Sequence, residues 1–522
     1  MTVNADYFDL PLLRPQTVGR RLYQEVIFAS AINQNTLVVL PTGLGKTIIA
    51  VVLCAYRLEK NPEAKVVMLA PTRPLVGQHH KRFSEMLMII PEKLNMITGE
   101  TPAKLRSKIW ESSSVIFMTP QTLRNDLEQN RYSMKDVTLL IFDEAHRATG
   151  RYDYIALADY YLRQQNDARI LALTASPIKV RELCEALYIE NIEVRMEQSP
   201  DLIPYIQQVG VRYVIVDLPP EYQQVEAFLG KGIQIAAMPL IELGLVKPNE
   251  LKFLGRRDLL KYRISLGQRI KLGEGTSEPR LFDAMLGIAL ILRLSHAREV
   301  LETQGVPQLF EYFCGIERKA QAGKAPKNIH VLLSSPWYHE ARRLLETLTL
   351  QGESHPKHPI LLQILQEQLQ QKTDSRILVF TRFRVSAKII TKYLNEHEKL
   401  RAARFVGQTN NPGDRGLSQK EQLDLLDSFR ANTHNVLVAT NVGEEGLDIS
   451  ECNLVVFYDS VPSAIRRIQR AGRTGRRTPG QLIVLITRGT RDESYHYWSL
   501  HKERNMQSKL LHYSRRLQNF SR

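Results

Sequence analysis

The chain has 522 residues, which at about 150 residues per domain suggests three domains. Hydrophobic residues make up 43% and charged residues 24%, a globular composition that argues against a disordered or fibrous chain. Lys and Arg number 70 against 55 Asp and Glu, and the resulting charge of +15 fits a phosphate-backbone or anionic-surface partner.

The surface of a membrane is the weaker option, and a spanning helix is not expected, because no run approaches about 18 uninterrupted apolar residues. The opening MTVNADYFDLPLLRP has neither a basic n-region nor a long apolar core, so no secretory leader is expected. Cys54, Cys184, Cys314 and Cys452 stand far apart without a CxxC pair, which excludes a sequence-local zinc or iron–sulfur site. So few cysteines fit a reducing, cytoplasmic setting, associated with the nucleoid if the source is prokaryotic.

Short β-branched strands alternate with turns and helical segments in the first third, at Thr36–Leu40, Lys65–Ala70, Ser114–Met118, Val137–Phe142 and Arg169–Leu173. The first strand runs into PTGLGKT and then a helix. Gly43 and Gly45 let backbone N–H groups wrap phosphate oxygens, joined by Thr42 and Leu44, while Lys46 suits the β- and γ-phosphates and the Thr47 hydroxyl suits Mg²⁺. The loop departs from GxxxxGK[ST], because Leu40 occupies the first glycine position. The fourth strand ends in DEAH, where Asp143 would complete the Mg²⁺ shell and Glu144 would orient the attacking water.

From about Glu221 to Gly352 strand signals nearly vanish and the pattern is helical. Within it, Lys252–Lys271 carries seven cations, including Arg256, Arg257, Lys261 and Arg263, against the single acid Asp258. A solvated basic helix would look the same. Val211–Leu218 reads as a strand ahead of this block that could pair with the C-terminal sheet.

The last third repeats the first rhythm at Arg376–Phe380, Arg401–Phe405, Asn435–Ala439, Asn453–Tyr458 and Gln481–Ile486. Apolar runs alternating with helices imply parallel sheets covered on both faces, with ligands at the strand C-termini. The expected fold is therefore α/β, two doubly wound parallel-sheet domains (1–200 and 356–522) flanking a mainly helical insertion (201–355). In the second α/β domain, IQRAGRTGRR places Arg473 and Arg476 three apart on one helical face, with Gln469 one turn earlier. Arginines there can meet a γ-phosphate across a cleft, completing a split ATPase site.

Taken in order, PTGLGKT, APTRPL, TPQT, DEAH, TAS, VFTR, TNVGEEGLD and QRAGRTGR resemble the ordered motifs of superfamily 2 helicases, over nearly the whole chain. Finer details, among them RLYQ, LALTASP, RFVGQ and VPSAIRRIQRAGRTGR, look like the helicase half of archaeal Hef proteins. That family is related to the Fanconi-anaemia group M translocases and, more distantly, to the RIG-I-like RNA-sensing ATPases. The resemblance implies two RecA-like domains with a thumb-like insertion, and an ATP- and Mg²⁺-dependent helicase or translocase for forked or branched DNA in fork processing and repair. It implies that Gln24 contacts adenine, and that Gly446 and Asp448 reach the nucleotide from the second domain. It further implies a nucleic-acid track of Thr72, Arg73, Thr119, Pro120, Gln121, Thr381, Arg382, Gln408 and Thr440, with His146, Thr174 and Ser176 coupling that track to ATP.

Hef proteins continue into a nuclease with an ERKxxxD signature. Here Glu317, Arg318 and Lys319 spell ERK, but Gly323 stands where the acid belongs and the setting is helical, so no nuclease activity is predicted. A separate nuclease is a candidate partner, and the chain is expected to act as a monomer. The tail from Gln507 through Leu510 and Tyr513 half matches a sliding-clamp docking box, but with Ser514 in place of the second aromatic a basic amphipathic helix end is the preferred account, and a sliding clamp stays a candidate partner. A double-stranded-RNA-stimulated ATPase and a non-enzymatic ATP-dependent clamp are the alternatives.

Overall fold

The computed structural model describes residues 7–165, 167–175, 179–196, 198–205, 209–273, 279–323, 325–410, 414–440, 452–460 and 480–520. Thirteen strands among them form two wholly parallel sheets. The first contains β1 (Thr36–Val39), β2 (Lys65–Leu69), β3 (Leu94–Ile97), β4 (Val115–Met118), β5 (Val137–Phe142), β6 (Ile170–Thr174) and β7 (Asn191–Val194), in the order β3-β4-β2-β5-β6-β1-β7. The second contains β8 (Val209–Val216), β9 (Ile377–Phe380), β10 (Ala402–Phe405), β11 (Val436–Ala439), β12 (Leu454–Phe457) and β13 (Gly480–Thr487), in the order β10-β11-β9-β12-β13-β8.

The central strands of both sheets are buried on both faces, as continuous apolar strands require, while edge strand β8 exposes Val211, Tyr213 and Ile215. In β1, Val38 packs into one core and Leu37 and Val39 into the opposite one. In β9, Ile377 and Val379 face one layer while Leu378 and Phe380 face the other. The expected two α/β layers are thus present, with two strands added to the first sheet. The added strands β3 and β7 carry half-exposed positions, Asn95 and Met96 in one and Val194 in the other, so neither shows the uninterrupted apolar run that marks a central strand. They are the two edges of the sheet.

Eight-residue β8 pairs in parallel with β13 from Val209↔Gly480 to Val216↔Thr487. The 201–355 division groups this strand with the helices; its hydrogen bonds put it in the second sheet. The helical block proper begins at Pro220. Its centre is the crossing of two long helices, Pro220–Glu242 and Arg280–Gln304. At that crossing a Cβ on Gly287 would stand 2.2 Å from the Ala236 carbonyl oxygen, so only glycine permits the approach. Trp337 and Tyr338 from the Pro336–Leu350 helix close the same core.

The final helix, Arg491–Phe520, starts at the second sheet and ends on the first. Asp492 near its start accepts from Lys357 and from the backbone of Ser460 and Thr487. Eighteen residues later Leu510 is buried with Leu183, Leu187 and Ile192 of the first lobe, and Tyr513 packs beside it. The Leu510 side chain that a clamp-docking box would present is therefore part of a core, on a helix that continues past it. Glu317 of the ERK triplet is also occupied, accepting from Tyr338 at 3.0 Å and Arg342 at 3.2 Å inside the helical block.

Candidate nucleotide and nucleic-acid sites

The phosphate loop leaves β1 at Leu40 and enters the helix Lys46–Lys60. Gly43 and Gly45 take φ of +83° and +78°, a left-handed backbone that favours glycine. A second constraint acts at Gly45, where a Cβ would lie 2.4 Å from the Gln24 side-chain nitrogen. The preceding helix braces the loop from behind: Tyr23, fully buried, donates its hydroxyl to the Leu44 carbonyl at 2.7 Å. Gln24 is 2% exposed, and its Oε1 accepts no hydrogen bond. A buried acceptor without a donor is costly, and an incoming amino group would satisfy it. Lys46 Nζ donates to the Leu40 and Pro41 carbonyls at 2.9 and 3.2 Å, holding a cation at the loop mouth.

Asp143 and Glu144 follow β5, two strands from β1 in the sheet, with β6 between them. Asp143 is nearly buried, and its Oδ2 lies 2.7 Å from His79 Nε2. Burial pushes its carboxyl up, but the charge and hydrogen bond of His79, the charge of Lys46 and the Glu144 backbone N–H outweigh that and hold it below the usual carboxylate range. Tyr154 fixes the turn by donating to the Asp143 carbonyl at 2.7 Å. Glu144 takes φ +48°, an uncommon value for a residue with a side chain, and its Oε2 accepts no hydrogen bond although His146 Nδ1 lies 3.3 Å away. The same His146 nitrogen is 3.2 Å from Thr174 Oγ1 at the end of β6, and the Thr174 carbonyl accepts from Leu40 N. A polar path thus runs from the phosphate loop through Thr174 and His146 to Glu144.

Three of these groups escape the motif reading. His79 sits in APTRPLVGQHH, where it looks like one more polar residue on a surface helix, yet it is buried against the DEAH aspartate. Tyr23 and Tyr154 read as core aromatics; their hydroxyls set the loop and the turn. Thr47 lies beside His79 at the edge of a cavity of about 260 Å³ also lined by Gln78, Lys81, Arg82 and Glu85. Ser176, Gly446, Asp448, Gln469, Arg473 and Arg476 lie outside the described residues.

The expected nucleic-acid track divides on inspection. Arg73, Gln121 and Gln408 are exposed, and Arg73 pairs with Glu100. Thr72 is half-buried with an unpartnered hydroxyl, and Pro120 is buried at a helix start. Three threonines of the track have buried side chains. Thr381 is fully buried and donates to Asp459 Oδ2 at 2.5 Å; Thr119 is tied to Thr122 at 2.8 Å; Thr440 is 6% exposed. Arg382 pairs with Glu299 of the helical block at 3.2 Å and stacks over Phe383 and Tyr495. Arg382 thus ties the second lobe to the helical block, while Thr381 is bonded within the second lobe. Arg256, Arg257, Lys261 and Arg263 lie exposed on the helix Arg256–Lys271, whose inner side buries Leu259 and Leu266.

Two parallel α/β layers, a glycine phosphate loop and a DEAH turn wired to the next strand define the core of a superfamily 2 helicase. Family descriptions agree: DEAD/DEAH box helicase over residues 21–183, helicase conserved C-terminal domain over 358–478, and the helical bundle of ATP-dependent RNA helicases over 221–349. The crystal structure of the Pyrococcus furiosus Hef helicase domain superposes with a TM-score of 0.74 at 43% identity, covering 94% of this chain and 99% of that one. The chain belongs to the Hef helicase family. Among curated relatives, a Methanocaldococcus jannaschii protein named as an ATP-dependent RNA helicase is 35% identical over 96% of the chain. The ATP-dependent DNA helicase mph1 of Neurospora crassa and the DEAD-box ATP-dependent DNA helicase Fancm of Drosophila melanogaster are 32% and 33% identical over 92% and 93%. The chain spans 62%, 42% and 34% of the length of these three proteins. Among the described residues, no helix is long and apolar enough to cross a membrane.

Proposed function

We propose that this chain is an ATP-driven DNA translocase that acts on forked or branched DNA. The observation that carries the reading is the polar path joining Lys46 and the phosphate loop to Thr174, His146 and Glu144. It joins the phosphate loop to the groups that would couple the nucleotide to a nucleic-acid track. The residues fit ATP and Mg²⁺: Gln24 keeps a buried acceptor for an amino group, the two glycines open the loop backbone, and Lys46 is already at the mouth. ATP with Mg²⁺ would supply a phosphoanhydride bond whose cleavage drives motion.

Lys46 exchanges the Leu40 and Pro41 carbonyls for phosphate oxygens. The Thr47 hydroxyl and the Asp143 carboxylate would hold the cation, with His79 fixing the orientation of Asp143. Glu144, whose Oε2 accepts no hydrogen bond, would position the attacking water and take its proton. Arg473 and Arg476, with Gln469, complete the site from the second lobe, and Gly446 and Asp448 contact the nucleotide from that side. Arg73, Gln121 and Gln408 grip the sugar–phosphate backbone without reading bases, while Arg256, Arg257, Lys261 and Arg263 hold a second arm.

The DNA helicases among the relatives support a DNA substrate, and the M. jannaschii relative keeps an RNA-stimulated ATPase as the competing reading. ATPase and strand displacement measured on single-stranded, duplex, forked and four-way DNA with matched RNAs test the choice. Highest turnover on forked or four-way DNA is expected. Equal or greater stimulation by duplex RNA overturns the DNA assignment.

A further inference from the structure

The basic helix Arg256–Lys271 carries a feature that its charge does not explain. Ile264 is 64% exposed and Leu260 is 38% exposed, on the same side of the helix one turn apart. The helix packs into the block through Leu259 and Leu266, which are almost fully buried. At 3.6 residues per turn, Ile264 points about 140° away from Leu259 and about 160° away from Leu266, so it caps the side farthest from the core. Its neighbours along that ridge are Arg257, Lys261 and Lys271, all exposed. Arg257 and Lys271 each lie seven residues from Ile264, or about 10 Å along the axis.

An apolar tip set between cations suits a duplex end. Phosphates on either strand meet the flanking cations, and the terminal base pair offers a flat apolar surface to the tip. Apolar wedges of Ile, Leu or Met are a recurrent means of unstacking a base step, at a cost of about a few kcal/mol that contacts elsewhere offset. We infer that Ile264, supported by Leu260, is a wedge that abuts and unstacks the base pair at the junction of a forked duplex, with Arg257, Lys261 and Lys271 seating the two backbones. The inference rests on the proposed forked-DNA function and assigns the residues that open the first pair.

The test uses the full chain and a fork with 2-aminopurine in its junction pair, observed on binding without nucleotide. Wild type raises the fluorescence. The double variant Ile264→Ser/Leu260→Ser loses most of that rise, by about tenfold, as expected when an apolar wedge is removed. Because both side chains are exposed, its melting temperature stays with wild type, and because the cations remain, fork affinity changes by less than about tenfold, the shift of 1.4 kcal/mol. Ile264→Met, which keeps an apolar tip, retains the signal. An undiminished rise in the double variant, or no rise in a wild type that binds the fork, overturns the wedge alone. A wild type with neither fork affinity nor DNA-stimulated ATPase overturns the proposed function itself.

Discussion

Both lobes end strands in buried carboxylates, and the two sets of contacts differ in what they leave over. In the first lobe Asp143 meets His79 and Lys46 and is held ionised, while Glu144 Oε2 and Gln24 Oε1 accept nothing. In the second lobe Asp492 is enclosed by Lys357 Nζ at 2.6 Å and two backbone N–H groups, and Lys357 spends its remaining donors on the Tyr458 and Leu485 carbonyls. Asp459, beside them, accepts from Thr381 and Arg382 through one oxygen and leaves Oδ1 without a partner; burial raises its carboxyl above the usual range. Both lobes leave buried acceptors open, but only those of the first lobe, Gln24 Oε1 and Glu144 Oε2, stand beside a phosphate loop, where a ligand can satisfy them. A lysine with three acceptors is a weld.

If that contrast is correct, the first lobe can lose its chemistry without losing its fold. Glu144→Gln keeps the shape of the side chain and removes its basicity. Steady-state ATPase is expected to fall by about 10²–10⁴-fold, the range of a lost general base, with the melting temperature unchanged. A variant retaining more than a tenth of wild-type turnover would show that the free Glu144 oxygen has no catalytic part.

The second lobe should respond in the opposite sense. Lys357→Met leaves Asp492 buried without its cation, and breaking a buried pair from one side costs about 3–5 kcal/mol. Denaturant unfolding should show that loss, whereas Lys357→Met/Asp492→Leu, which removes both charges, should recover most of it. A single variant as stable as wild type would mean that the pair is not a weld, and the contrast between lobes would fail.

The sequence makes the first lobe's half of the contrast visible and conceals the second's. PTGLGKT and DEAH announce themselves because phosphate chemistry fixes residue types at fixed spacing. Central strands announce themselves by uninterrupted apolar runs, as β5 does from Val137 to Phe142. Edge strands β3 and β7 lack that run because polar residues interrupt them, Asn95 in one and Asn191 and Glu193 in the other. Lys357 and Asp492 are 135 residues apart, and neither flank carries a pattern, so only the folded chain reveals the pair. The partner of Thr381 is hidden for a related reason: the buried aspartate that takes its hydroxyl stands 78 positions later, and no local pattern links the two. Similarly, Leu510 belongs to a docking box by spacing and to the first lobe's core by packing.

The smallest effect concerns the seam between the helical block and the second lobe, where the weld's own helix meets Glu302. This carboxyl is 2% exposed; its Oε2 accepts from Arg491 N at 3.2 Å and its Oε1 has no partner. Burial pushes its pKa up to about 7, only partly countered by Arg491 and Arg298. In the unfolded chain it titrates near 4.5. Between those values the folded state holds more protons than the unfolded state, so this group lowers stability as pH rises through that window and lowers it by a constant amount above it. His355, buried against the Glu302 carbonyl, and His358 have pKa values lowered to about 3 and 4, and act in the reverse direction, losing stability as pH falls below 6.5. Comparing wild type with Glu302→Gln cancels the histidines. The melting temperature of the variant should match wild type near pH 4.5, draw ahead as pH rises, and keep a constant lead above about pH 7, because the amide can still accept from Arg491 without carrying charge. A difference that is flat across that range would place the Glu302 charge in water, and the seam would then be an ordinary polar contact.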